Sequence, residues 1–141
     1  MNTIRKSFEE ILAKQNANSP RKRPDDEEHR IQCACVNWFH YQYPKYNLNL
    51  FAVPNGGRRD KVTAGKLKAE GVVAGVSDLI LALRTYEYGA LFIEMKTENG
   101  KQSESQKIWQ RKMEQDGYKY VVCHSFDEFK YEVEEYLKDI I

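Results

Sequence analysis

Asp78, Glu94 and Lys96 are written into two apolar runs, VSDLILAL and ALFIEMK, that read as neighbouring buried strands. Ionised side chains are costly to hold against a sheet unless they are paired or bind a metal. Alternation along the second run puts Ala90, Phe92, Glu94 and Lys96 on one face and Leu91, Ile93 and Met95 on the other. The runs are joined through RTYEYG. A turn centred on Tyr86 sets Asp78 opposite Glu94, and one centred on Glu87 sets it opposite Lys96. Either register brings two acids and an amine to one patch. A plain salt bridge would need only one acid, and a second beside it is repulsive unless a cation joins them. Paired carboxylates suit Mg2+ or Mn2+, with water and a phosphate completing the shell.

The elements that must position these groups follow from periodicity and end signals. In DDEEHRIQCACVNWFHYQYP, Ile31, Ala34, Cys35, Trp38 and Phe39 recur at helical spacing, acids crowd the first turn, and Pro44 stops the helix. Glu28 stands three residues before Ile31 and seven before Cys35, in line with this core-facing stripe. Spacing alone favours reading it as an acid suited to a first helical turn, like Asp25, Asp26 and Glu27. NLNLFAVP predicts a strand, the turn NGGRR follows, and TAGKLKAE predicts a short helix closed by Gly71. After the hairpin, Ser103 and Gln106 form a capping box that opens a helix ending at Gly117. YKYVVC predicts a fourth strand, and Ser125 with Glu128 opens a last helix carrying Phe126, Phe129, Val133, Leu137 and Ile140. The second hairpin strand reaches the fourth strand through a helix, so those two should run parallel. The expected architecture is α/β, a mixed four-stranded sheet flanked by helices.

Bulk composition bounds the possibilities. The chain has 141 residues, 41% of them hydrophobic, enough for one core but hardly for two. Residues 1–24 read as a short helix over 2–14 and a polar, basic linker, and residues 25–141 as a single domain. A formal net charge of +1 excludes a polybasic binder, so any nucleic-acid surface is local. No apolar run has the length of a membrane span, and MNTIRKSFEE lacks the apolar stretch of a signal peptide, so a cytosolic protein is expected. Cys33, Cys35 and Cys123 sit among apolar residues as reduced thiols would. A zinc site joining them to His124 would lack the usual two-residue spacer.

An inward Glu28 on the first helix, then VSDL with Asp78, then IEMK with Glu94 and Lys96, resembles the PD-(D/E)XK nuclease superfamily. Within that superfamily the fuller pattern is similar to the VRR-NUC domain, the virus-type replication and repair nuclease. It comprises GVxxGVSDL, IEMK and the following SxxQxxW of Ser103, Gln106 and Trp109. The likeness runs from about Glu28 to Val122 and implies a restriction-endonuclease-like αβββαβ core. One departure is Ser77, where the superfamily name has proline; the metal-binding acid itself is kept.

The resemblance implies a Mg2+- or Mn2+-dependent deoxyribonuclease. Asp78, Glu94 and the Met95 backbone carbonyl would hold the metal, with Glu28 assisting through water or a second ion. Lys96 would orient the attacking water and offset charge on the scissile phosphate, and Gln106 would position Lys96 or a phosphate oxygen. Asn55, Arg58, Arg59, Lys61, Lys66 and Lys68 cluster between the first two strands, and Lys101 and Lys107 flank the Gln106 helix. Such groups could hold DNA backbone phosphates without reading sequence, although each lysine alone is equally a solvated surface residue. Nothing resembles a base-reading module, so branched or junction DNA is the expected substrate, cut by a homodimer with two sites for two strands. Three alternatives stay open: a catalytically silent nucleic-acid-binding domain of the same fold, a sequence-specific restriction-type nuclease, and a purely structural interaction protein.

Overall fold

The apolar runs form the middle of a four-stranded sheet of order β1-β2-β3-β4. The structure is a computed structural model that describes residues 24–54 and 60–141. The helix expected over residues 2–14, the linker up to residue 23, and Asn55, Arg58 and Arg59 lie outside the described residues. Helix α1 is Pro24–Gln42, followed by a 3-10 turn at Pro44–Tyr46 and strand β1 at Leu50–Ala52. Helix α2 is Lys61–Ala69, and strands β2 (Leu79–Leu81) and β3 (Leu91–Met95) form the hairpin. Helix α3 (Glu104–Gln115), strand β4 (Lys119–Cys123) and helix α4 (Phe126–Leu137) complete the chain.

β1 and β2 pair antiparallel, as do β2 and β3, whereas β3 and β4 pair parallel across α3. Leu79 opposes Ile93 and Ile80 opposes Phe92, which centres the hairpin on Tyr86. Extending that register by one pair sets Asp78 against Glu94, the first of the two registers the sequence allows.

Alternation sends Leu91, Ile93 and Met95 into a core shared with Cys35 and Phe39 of α1 and with Phe129, Val133 and Tyr136 of α4. Trp38 stands edge-on to Tyr43, Phe126 and Phe129 and closes the seam between α1 and α4. Pairs of this kind contribute about 0.5–1.5 kcal/mol each beyond burial. On the opposite face α3 lays Trp109 against Phe92, at 4.9 Å between ring centroids. All five residues of β3 are therefore buried, which is why its run is continuously apolar apart from Glu94.

Some boundaries differ from expectation. The core stripe of α1 is shifted round the helix, because Ala34 is exposed while Val36 packs against the core. β1 is short because the chain turns through Pro44–Tyr46 first; Asn49 then donates from its side-chain amide to the Ala82 carbonyl at 3.0 Å. α2 starts earlier than TAGKLKAE suggests, since Asp60 caps it by accepting from Thr63 N at 2.7 Å. Ile140 lies beyond α4 and bridges to Thr85 instead.

Candidate active site

Asp78 immediately precedes β2, and its backbone carbonyl accepts from Val53 N at 2.9 Å. Its Oδ2 accepts from Met95 N at 2.7 Å, so the acid is fastened to the strand that carries Glu94. In a strand the N–H and C=O of one residue point to the same side. The Met95 carbonyl therefore faces the Asp78 side of β3, where the resemblance would have it serve a metal.

Glu94 is 1% exposed, and both its oxygens are engaged. Oε1 accepts from Gln106 Nε2 at 2.8 Å and lies 3.6 Å from Lys96 Nζ. Oε2 faces the Tyr120 hydroxyl at 3.5 Å. Burial pushes the Glu94 carboxyl up to about 8, helped by the adjacent Asp78 carboxylate and, more weakly, by Glu28; Lys96 opposes the rise. Asp78 is close enough to hydrogen-bond with the protonated form. Burial and the neighbouring acids outweigh Lys96.

Glu28 sits half-buried on α1 and adds weakly to the field at Glu94. Gln106 reaches the site because it sits at N3 of α3: its Oε1 accepts from Ser103 N at 2.8 Å while its Nε2 turns to Glu94. Its amide thus bonds Glu94, where the sequence reading gave it Lys96 or a phosphate oxygen to position. Gly75 explains how α3 comes so close. Its φ is +88°, and a Cβ there would lie 2.3 Å from the Ser105 carbonyl oxygen and 2.9 Å from Gln106 N. Only glycine lets the segment leading to Asp78 lie against the first turn of α3.

A neighbour of Glu94 and the residue behind it escaped the sequence reading. Tyr120, on β4, shares the Glu94 face, and its hydroxyl also accepts from Gln102 Nε2 at 3.3 Å. Gln102 Nε2 donates in addition to Gln110 Oε1 at 2.8 Å. The alternation of Tyr118, Tyr120 and Val122 in YKYVVC was a signal for the first. Nothing in the sequence marks Gln102.

Of the basic residues, Lys61, Lys66 and Lys68 are exposed on α2, and Lys101 and Lys107 are exposed before and on α3. A cleft of about 550 Å3 lined by Glu27, Ile31, Glu98, His124, Phe126 and Glu128 opens beside the first turns of α1 and α4. Its acids oppose a phosphate chain lying there. The cysteines build no zinc site. Cys33 is exposed, with His29 Nε2 3.5 Å from its sulfur, whereas Cys35 and Cys123 are buried and burial pushes both thiols up to about 12.

Among the described residues no group of three or more His, Cys, Asp and Glu side chains gathers to hold a metal. A cation at the site would rest on the Asp78 and Glu94 carboxylates. That pair fits a small hard divalent ion that keeps much of its own water. Such an ion would also offset the burial and the Asp78 repulsion that raise Glu94. Among the described residues no helix is long and apolar enough to cross a membrane.

The fold is a mixed sheet between helical layers, with Glu94 on β3, Asp78 just before β2 and Lys96 just after β3. The VRR-NUC domain family model matches residues 20–127, and the chain belongs to that family. A solved structure described as a VRR_NUC domain protein is 28% identical, with a TM-score of 0.70 over 79% of this chain and 88% of its own. No curated protein matches the chain.

Proposed function

We propose that the protein is a metal-dependent DNA endonuclease that hydrolyses phosphodiester bonds in branched or junction DNA. The observation that carries this reading is Asp78, fastened to Met95 N at 2.7 Å, beside the buried Glu94 with Lys96 Nζ 3.6 Å away: two acids for one amine. An arrangement so costly to the empty fold is expected where a cation is to be bound.

Asp78 and Glu94 would hold Mg2+ or Mn2+, with the Met95 carbonyl on the same side and Glu28 acting through water. When bound, such an ion raises the fraction of hydroxide and stabilises charge developing on the phosphate. Lys96 sits at the edge of the pair, 15% exposed, where its ammonium can orient a water and meet a phosphate oxygen. Gln106 holds Glu94 Oε1 against rotation, and the Met95 amide does the same for Asp78. Lys61, Lys66, Lys68, Lys101 and Lys107, together with Asn55, Arg58 and Arg59, would grip backbone phosphates, a contact without sequence information. A homodimer would supply one site to each strand.

Purified protein assayed with Mg2+ or Mn2+ on linear, flap, splayed and four-way DNA tests the proposal. Metal-dependent cutting concentrated near branch points is expected. Cutting at fixed sequences on plasmid DNA would favour a restriction-type enzyme, and DNA binding without any cleavage would favour a catalytically silent domain.

A further inference from the structure

We infer that Tyr120 is a positioning residue for Glu94, its hydroxyl oriented by Gln102 and Gln110 so that it donates to the carboxylate's second oxygen. The inference rests on the metal-dependent reading above and adds to it a support on the side of Glu94 that Gln106 does not reach.

The direction of each bond follows from counting hydrogens. The Gln102 side-chain amide has two N–H groups. One goes to Gln110 Oε1 at 2.8 Å and the other to the Tyr120 oxygen at 3.3 Å. The phenol already receives a donor, so its own hydrogen is left for an acceptor, and Glu94 Oε2 stands 3.5 Å away. The ring cannot swing off. Tyr120 is 6% exposed, lies edge-on to Trp109 at 6.0 Å, and is carried by the strand position opposite Phe92.

The consequence concerns cation binding. A carboxylate ligand held at one oxygen can still rotate about its last bond, and a donor at the other oxygen removes that freedom. Supporting groups of this kind typically contribute ten- to a hundredfold in metal affinity. The contact is long, so the lower end applies.

Calorimetric titration of Mn2+ into the DNA-free protein reads this directly, with thermal midpoints taken in chelator. Tyr120→Phe should weaken Mn2+ binding about tenfold at an unchanged midpoint, because the ring contacts stay. Gln102→Ala should weaken it less, in the same direction. Unchanged affinity in Tyr120→Phe overturns the role of Tyr120 and leaves the metal reading standing. Should Tyr120→Phe also lose thermal stability, Gln102→Ala decides: weaker binding at a native midpoint supports the chain, and unchanged binding overturns it. Wild-type protein that binds no Mn2+ overturns the metal reading and this inference together.

Discussion

Gln106 joins the start of a helix to a buried acid: its Oε1 accepts from Ser103 N at 2.8 Å while its Nε2 donates to Glu94 Oε1 at 2.8 Å. One side chain thus completes a capping box and holds the carboxylate that the proposed reaction depends on. The two duties can be separated. Gln106→Ala should lose about 1 kcal/mol of stability with its half of the cap. It should also slow cleavage about ten- to a hundredfold through loss of the Glu94 support. Ser103→Ala should lose a similar stability but little cleavage. Chemical denaturation beside single-turnover kinetics checks both; equal loss of cleavage in the two variants would reduce Gln106 to a cap.

In the absence of divalent cations, stability should depend on pH. Glu94 is raised from 4.5 to about 8 in the folded protein, so the fold binds a proton that the unfolded chain gives up. Its contribution is fully present below about pH 4.5 and is lost as pH rises through about 8. The slope between them is at most about 1.4 kcal/mol per pH unit for one proton. Denaturation in chelator across this range should show the decline, and Glu94→Gln should flatten it. A wild-type profile as flat as that variant's would mean Glu94 is already ionised in the fold.

Gly75→Ala is expected to destabilise the protein by more than about 2 kcal/mol, since a positive φ alone costs about 1–2 kcal/mol for an L-residue and the new Cβ meets backbone. The Ser105 carbonyl oxygen, 2.3 Å from that Cβ, cannot move without displacing Gln106. Surviving folded protein should cleave poorly because Asp78 and Gln106 can no longer approach. Thermal melts and activity of the folded fraction test this, and full activity at a native midpoint would contradict the close approach.

Lys96→Ala should leave divalent-ion affinity nearly unchanged and slow hydrolysis by about two to four powers of ten, the scale of losing a positioned catalytic group. Metal titration and single-turnover cleavage on the same preparation separate the two. Parallel losses would make Lys96 a structural partner of Glu94.

The hairpin register was legible because strand alternation and a turn of six residues leave only two pairings for Asp78, both inside the same patch. The capping box placed Gln106 at the start of its helix, while its site role and that of Glu28 came from the resemblance. What Gln106 bonds to was not legible, since that depends on how closely α3 descends on the sheet, which Gly75 sets through a single missing Cβ. Tyr120 joins Glu94 only through the parallel register of β3 and β4, fixed by packing across a crossover. Gln102 precedes α3, where no periodicity operates. Ala34 and Ile140 were misplaced for a related reason: apolar spacing marks a stripe but not its width or the residue at which the helix ends.

The central claim is that Asp78 and Glu94 act together as the cation-holding pair of a nuclease. Its most direct test is single-turnover cleavage of branched DNA in Mg2+ or Mn2+ by wild-type protein, Asp78→Asn and Glu94→Gln, substitutions that keep shape and remove charge. The account predicts cutting by the wild type and a fall of at least about a thousandfold in both variants with folding retained. Cleavage at the wild-type rate by either variant, or none by the wild type with either ion, would contradict it.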